Sequence, residues 1–334
     1  MDFSFFPDRA RAKALDHCMR SHLGESLAYL DAASTEQRGE AIKGLAQVVA
    51  QMRAGALYSP SAFGIYYEAT MALMAQNESS AYALFEELRQ QQPMLDIEAR
   101  IITLDQVTPA SARERYQRLM DTDPTTAFRI LPPAGDLAAL AVRSLESGLQ
   151  RLRCCLPTFA GEFDALVRQV ILVVGDESLS YDFAGGSCYM LWGALFINAG
   201  SHTNDIAVME AIVHEASHSL LFGFTIDEAL VLNNDEELYT SPLREDPRPM
   251  DGIFHATYVS ARTHYAVSKL LQSDSLTSDE RHLCARRLEA ILQGFWQGYR
   301  TVLAYGRLSP TGQALMTNTH NYMRAFPDPC QSRQ

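Results

Sequence analysis

The sequence predicts an α+β protein that is mostly helical and contains a small β-sheet. Apolar residues recur at helical spacing through residues 9–92 and again through residues 205–224. Between these regions, residues 170–174 read Val-Ile-Leu-Val-Val, which is typical of a buried strand. Long helical segments on both sides of a short strand-rich region therefore indicate helices packed with one small sheet.

The N-terminal region is predicted to form several packed helices. Residues 9–92 favour helix, with breaks near Gly55 and Ser59-Pro60, and further helices are predicted at 110–120 and 136–152. Prolines separate these segments, and proline starts or ends a helix because it lacks an amide donor and clashes with the preceding turn. We therefore interpret the N-terminal part of the chain as a helical domain.

The domain organisation is predicted as a helical domain over residues 1–140, packed on a metal-binding catalytic domain over residues 141–334. The predicted elements of the second domain are strands at 170–174 and within 188–198, a helix at 205–224, an acidic connection over 227–251, a helix at 252–272, further helices to Tyr305 and a poorly ordered tail over 325–329. By analogy, a zincin-like core has the same order of elements: two strands, the motif helix, a long connection and a second helix.

Composition excludes several classes of partner. The formal net charge is −12, and no run of Lys or Arg is longer than a pair, which argues against nucleic acid. The longest apolar stretches fall well short of the roughly 20 residues that a membrane-spanning helix needs. The N-terminus lacks the basic start and apolar stretch of a secretory signal. We therefore expect a cytoplasmic protein with no nucleic-acid or membrane partner.

The segment His214-Glu215-Ala216-Ser217-His218 predicts a metal site on a helix. Residues at i and i+4 lie on one helical face about a turn apart, so both imidazoles can reach one cation while Glu215 lies beside them. The helical frame around the motif is strongly apolar, and buried histidines are costly unless they bind metal or form hydrogen bonds. The alternative is a polar cluster in which both histidines pack beside Glu215 without metal.

A third metal ligand is expected, because two histidines do not hold a catalytic metal alone. His255 is the preferred candidate, since it lies 37 residues after His218 near the start of a new helix. An exposed histidine at a helix start is the alternative interpretation of this residue. The glutamates of the acidic connection also remain open as ligands: Glu228, Glu236, Glu237 and Glu245.

An arginine-containing segment lies immediately before the predicted His255 helix. Arg244 and Arg248 stand among prolines in residues 239–249, where they could present rigid guanidinium groups to a carboxylate. The alternative is a solvated loop in which these arginines pair with Glu245 and Asp246. The sequence leaves both interpretations open.

The combined pattern resembles a known family. The matching segments are His214-Glu215-x-x-His218, Ser241-Pro242-Leu243-Arg244-x-Asp246-Pro247-Arg248-Pro249, Gly252-x-x-His255 and an aromatic-rich helix with Arg262. They resemble the HExxH-motif peptide-modification proteins associated with ribosomally synthesised peptides, described as 2-oxoglutarate-dependent peptide β-hydroxylases. The resemblance covers about residues 185–270.

The resemblance implies a dioxygenase of natural-product biosynthesis. Fe(II) would be the metal, 2-oxoglutarate and O2 the cosubstrates, and a side-chain β-carbon of a precursor peptide the site of hydroxylation. His214, His218 and His255 would hold the iron. Three histidines depart from the two-histidine, one-carboxylate set usual in such oxygenases, which keeps Glu228 and Glu237 open. The distal carboxylate of 2-oxoglutarate needs a cationic partner, for which the candidates are, in order, Arg248, Arg262 and Arg244.

Glu215 has a different role under each functional hypothesis. In the oxygenase it would orient a ligand or a bound water. In a zinc metallopeptidase, the alternative function with Zn(II) as the metal, it would be the general base that activates water. A helical scaffold with a vestigial metal motif is the third possibility.

Overall fold

A computed structural model of the chain describes residues 2–95, 98–121, 128–179, 184–201, 204–241 and 246–328. Within these residues the protein is mostly helical with small sheets, which confirms the predicted α+β class. The helices are α1 (Arg9–Arg38), α2 (Leu45–Arg53), α3 (Pro60–Met74), α4 (Glu78–Gln90), α5 (Ala110–Met120), α6 (Gly135–Cys155), α7 (Pro157–Leu166), α8 (Asp205–Phe224), α9 (Met250–Leu271), α10 (Ser278–Tyr305) and α11 (Pro310–Met323).

Within the same described residues, seven short strands form two sheets. They are β1 (Arg100–Thr103), β2 (Ile130–Leu131), β3 (Gln169–Gly175), β4 (Gly185–Ser187), β5 (Ala194–Asn198), β6 (Leu238–Tyr239) and β7 (Arg248–Pro249). In the larger sheet β3 pairs in parallel with β1 and β5, while β4 runs antiparallel to β5 and β2 antiparallel to the end of β3. β6 and β7 form a separate antiparallel pair. The predicted strand at 170–174 is confirmed as β3.

The chain divides into two compact units. The sheet unit comprises Lys13–Val142 and Leu166–Ser201, and the motif unit comprises Met1–Ala12, Arg143–Ala165 and His202–Gln334. The larger sheet belongs to the first unit and α8 to the second, so the zincin-like arrangement of sheet and motif helix stays a prediction. The predicted domain boundary at residue 140 also stays a prediction.

The core of the sheet unit lies where α5 covers the larger sheet. Tyr116 and Leu119 of α5 are buried in one apolar cluster with Ile171 of β3 and Phe196 of β5. The Tyr116 hydroxyl donates a hydrogen bond to the side-chain oxygen of Gln169 at 2.8 Å, so the one polar atom of this ring is satisfied at the first residue of β3.

The motif unit is an assembly of helices centred on α9, which packs against α8, α10 and α11. The helix α8 begins where the sequence predicts, because the Asn204 side chain accepts a hydrogen bond from the amide of Ala207 at 3.0 Å. A Cβ on Gly148 of α6 would stand 2.5 Å from Val208 Cγ1, so this glycine is what permits the close approach of α6 and α8. No helix in the described ranges is long and apolar enough to cross a membrane.

The tail after α11 is ordered by aromatic packing. The Phe326 ring lies 4.4 Å from the His264 ring, centroid to centroid, and the Phe326 carbonyl accepts a hydrogen bond from Trp296 Nε1 at 2.9 Å. Arg300 forms an ion pair with the buried Asp328. The prediction of a poorly ordered tail is therefore wrong over 325–328, and Pro329 lies outside the described residues.

Candidate metal centre

The two histidines of the motif lie on one face of α8. Their Nε2 atoms are 3.3 Å apart, and the ring centroids are separated by 5.0 Å. Metal–imidazole bonds of about 2.0–2.1 Å place two adjacent nitrogen donors roughly 3.0–3.4 Å from each other. The separation of His214 Nε2 and His218 Nε2 therefore fits two ligands of one cation, as the spacing in the sequence predicts.

His255 contacts the other side of the His218 ring. It lies on α9, only 7% exposed, with its Nδ1 atom 3.1 Å from His218 Nδ1 and the two rings stacked at 5.4 Å. The Nδ1 and Nε2 atoms of one imidazole point in different directions. A cation bound by His214 Nε2 and His218 Nε2 would therefore not lie in front of His255 Nδ1, which contacts His218 Nδ1. Accordingly, no set of three or more His, Cys, Asp or Glu side chains is arranged to hold one metal ion among the residues that the structure describes.

His255 therefore has a second role available besides that of a ligand. A metal-binding histidine usually donates its other ring N–H to an acceptor that fixes its tautomer and orientation. His255 Nδ1 stands where such an acceptor of His218 would be, and the Asp251 carboxylate lies 4.0 Å from His255 Nε2 on the same helix. As a metal ligand, His255 stays a prediction.

The electrostatics of the cluster favour neutral imidazoles. Burial lowers the pKa of His214 to about 4. Burial, together with the neighbouring His214 and His255, lowers the pKa of His218 well below its ordinary value. Burial also lowers the pKa of His255, an effect that the charge of Asp251 opposes. Since only neutral imidazole has a free lone pair, these shifts keep the nitrogens available to a cation at neutral pH.

Glu215 is 6% exposed and lies on α8 between the two motif histidines. Its carboxylate therefore belongs to the same helical turn as His214 and His218. Its role, either as a base or as an orienting group, stays a prediction.

Two glutamates that were open as third ligands are bound elsewhere. Glu228 accepts a hydrogen bond at 3.0 Å from the amide of Thr311 in the first turn of α11. Glu237 accepts from the Tyr239 hydroxyl at 2.6 Å and pairs with Arg307 at 3.0 Å. These carboxylates stabilise the acidic connection and a helix start. Glu236 is exposed, and Glu245 lies outside the described residues.

The candidate arginines have different environments. Arg248 of β7 pairs with Asp246 at 2.5 Å, which is the contact expected of a loop arginine and also places a carboxylate against its guanidinium. Arg262 of α9 is fully buried and pairs with Glu162 of α7. Arg244 lies outside the described residues. The assignment of a 2-oxoglutarate partner among them stays a prediction.

Two residues near the cluster were missed in the sequence. Asp251 stands four residues before His255, so helical spacing alone could have placed it on the same face. Glu162 lies 100 residues from Arg262, and no local pattern predicts that contact. Comparisons of this chain with protein-family models and with curated proteins found no match.

Proposed function

We propose that the protein is a non-haem Fe(II) and 2-oxoglutarate-dependent oxygenase that hydroxylates a side-chain β-carbon of a ribosomally made precursor peptide. The observation that supports a metal centre is the pair of neutral imidazoles on α8, whose Nε2 atoms are 3.3 Å apart. The family resemblance of residues 185–270 supports iron, 2-oxoglutarate and O2 in particular. When bound, Fe(II) would supply the redox chemistry that couples O2 to oxidation of 2-oxoglutarate and of the peptide.

In this proposal His214 and His218 hold the cation, and His255 is the third ligand. Participation of His255 requires its imidazole to leave the contact with His218 Nδ1 that it makes at 3.1 Å. His214 and His218 are each half-buried as whole residues, whereas His255 is buried. A motif helix, a long connection and a second helix with the third ligand also follow the order of a zincin-like core, which is part of the proposal.

Arg248 is the proposed partner of the distal carboxylate of 2-oxoglutarate. It precedes α9 by two residues, so it lies at the beginning of the helix that carries His255. Its present partner, Asp246, is a carboxylate at 2.5 Å, and a planar guanidinium binds carboxylates through two parallel hydrogen bonds. The distal carboxylate would replace that of Asp246.

The experiment that tests the function is anaerobic purification followed by loading with Fe(II), 2-oxoglutarate and O2. Succinate formation, together with a mass increase of one oxygen atom on a co-expressed precursor peptide, is the expected result. His214→Ala serves as the inactive control. Tightly bound zinc, no consumption of 2-oxoglutarate and cleavage of the peptide would instead establish the metallopeptidase, with Glu215 as the base.

A further inference from the structure

A buried ion network lies beside the metal-motif turn, within the motif unit. Its centre is Glu162 of α7, which is 1% exposed and pairs with both Arg262 and Arg11, the latter at 3.1 Å. The same carboxylate accepts a hydrogen bond from the Asp8 amide at 3.2 Å. A buried carboxylate is strongly unfavourable unless it is paired in this way, so the arrangement of these groups is tightly constrained.

The N-terminal segment completes the network. The Phe5 ring is buried and stacks on Tyr322 at 4.7 Å, which anchors the segment against α11. The Phe5 carbonyl accepts a hydrogen bond from Arg262 Nη1 at 2.7 Å, and the Phe6 carbonyl accepts one from Arg11 Nη2 at 2.8 Å. Two arginines share one carboxylate, and the Phe5 and Phe6 carbonyls each accept a further hydrogen bond from one of them.

Arg262 has every guanidinium nitrogen engaged. Nη2 pairs with Glu162, Nη1 donates to Phe5, and Nε donates to the Ser217 hydroxyl at 3.4 Å. One face of the group lies over the Phe159 ring at 4.5 Å. A substrate carboxylate could reach this side chain only by breaking a buried ion pair.

The contact with Ser217 connects the network to the metal turn. Ser217 directly precedes His218, and its hydroxyl donates to the carbonyl of Val213 at 2.7 Å. Val213 directly precedes His214. The Ser217 hydroxyl therefore links the residue before His218 to the carbonyl of the residue before His214, and Arg262 Nε contacts that same hydroxyl.

We propose that Arg262 is a positioning residue for the metal centre, which acts through Ser217 on the turn that carries His214 and His218 and is itself held by Glu162 and the N-terminal segment. This proposal rests on the metal site of the proposed function, and it replaces the role of 2-oxoglutarate partner for Arg262. The network makes residues 5–11 part of the support of the site, although they lie about 200 residues from it in sequence.

The test is the affinity of the full chain for Co(II), measured by titration of its visible absorption, with no catalysis required. Loss of an outer contact typically lowers metal affinity by about 10- to 100-fold. We expect Ser217→Ala to lower Co(II) affinity by roughly 10-fold and to alter the ligand-field spectrum, and Ser217→Thr to restore both by keeping the hydroxyl. Ser217→Ala leaves the Arg262–Glu162 pair intact, so this variant is expected to fold.

The matched control is Arg287→Met, which removes an arginine of α10 that pairs at 2.6 Å with Glu210 of α8, the helix that carries the motif. We expect this variant to bind Co(II) as the wild type does. Arg262→Lys should lower the affinity at least as much as Ser217→Ala does. Wild-type Co(II) affinity in both Ser217→Ala and Arg262→Lys would overturn the proposal. A raised 2-oxoglutarate requirement in Arg262→Lys would then favour a cosubstrate role for Arg262.

Failure of the proposed function gives a different pattern of results. A wild-type protein that binds Co(II), loses affinity in Ser217→Ala and consumes no 2-oxoglutarate supports the positioning role and counts against the oxygenase alone. A wild-type protein that binds no Co(II) overturns both proposals.

Discussion

His218 is the residue on which the candidate metal centre most depends. Its Nε2 atom lies 3.3 Å from His214, and its Nδ1 atom lies 3.1 Å from His255. The substitution His218→Ala therefore removes one ligand of the proposed pair and also the ring that His255 contacts. Most of the metal affinity should disappear with it.

The expected loss follows from the binding energy of a single ligand. Structural zinc sites with four ligands bind with about 10–16 kcal/mol at pH 7, which is about 2.5–4 kcal/mol for each ligand. At about 1.4 kcal/mol per factor of ten, loss of one ligand lowers the affinity by roughly 100- to 1,000-fold. The contact with His255 adds to this loss if it holds the tautomer of His218.

The assay is metal content after anaerobic purification, together with titration of the apo protein with Co(II). His282→Ala is the matched control, because His282 is exposed on α10 and its ring contacts the Ser278 carbonyl of the same helix at 2.7 Å. This control should bind metal as the wild type does. If His218→Ala kept wild-type affinity and stoichiometric metal, the metal would be bound by other residues. His214, His218 and His255 would then be a polar cluster without metal in the wild type.

Three further outcomes are expected. Glu215→Gln should retain measurable succinate formation, whereas a peptidase would lose at least roughly 100-fold of its activity with its general base. Arg248→Leu should raise the apparent 2-oxoglutarate requirement by roughly 10- to 100-fold, the value of a lost charge-assisted contact, while Co(II) affinity stays unchanged; an unaltered requirement would exclude Arg248 as the cosubstrate partner. Burial lowers the pKa of His264 to about 4 from its ordinary value near 6.5, so its contribution to stability is complete above about pH 6.5 and is lost as the pH falls towards 4. Urea unfolding should therefore show a steeper loss of stability over this range in the wild type than in His264→Gln, and equal slopes would contradict this reasoning.

The sequence determined those features that depend on local spacing. The bounds of α8 were predicted because the apolar residues of 205–224 keep a helical period, and the structure identifies Asn204 as the residue that caps the helix. The approach of His214 Nε2 and His218 Nε2 follows from the i, i+4 geometry of any α-helix. The strand β3 was recognisable because a continuous run of β-branched and apolar residues suits a strand buried on both faces.

Elements that depend on a distant partner escaped prediction. β1 has only four residues, and it forms because they pair with residues 169–172 of β3. The helix α11 and the ordered tail were also missed, since the order of residues 325–328 comes from Phe326 packing on His264 and from Asp328 pairing with Arg300. A composition of proline and charge after the last helix does not reveal such contacts.

The tertiary structure decided how the predicted residues face one another. His255 was selected from its context, but only the packing of α9 on α8 determines that it meets Nδ1 of His218 and not the Nε2 side. The sequence could not distinguish a cosubstrate partner from a positioning residue at Arg262, because the side chain has the same charge in both roles. Its buried contacts with Glu162 and the Phe5 carbonyl favour the positioning role. Those partners lie 100 and 257 residues away in sequence. A residue's local sequence specifies its chemistry and its helical face, whereas the groups that satisfy it after burial are set by which helices pack together.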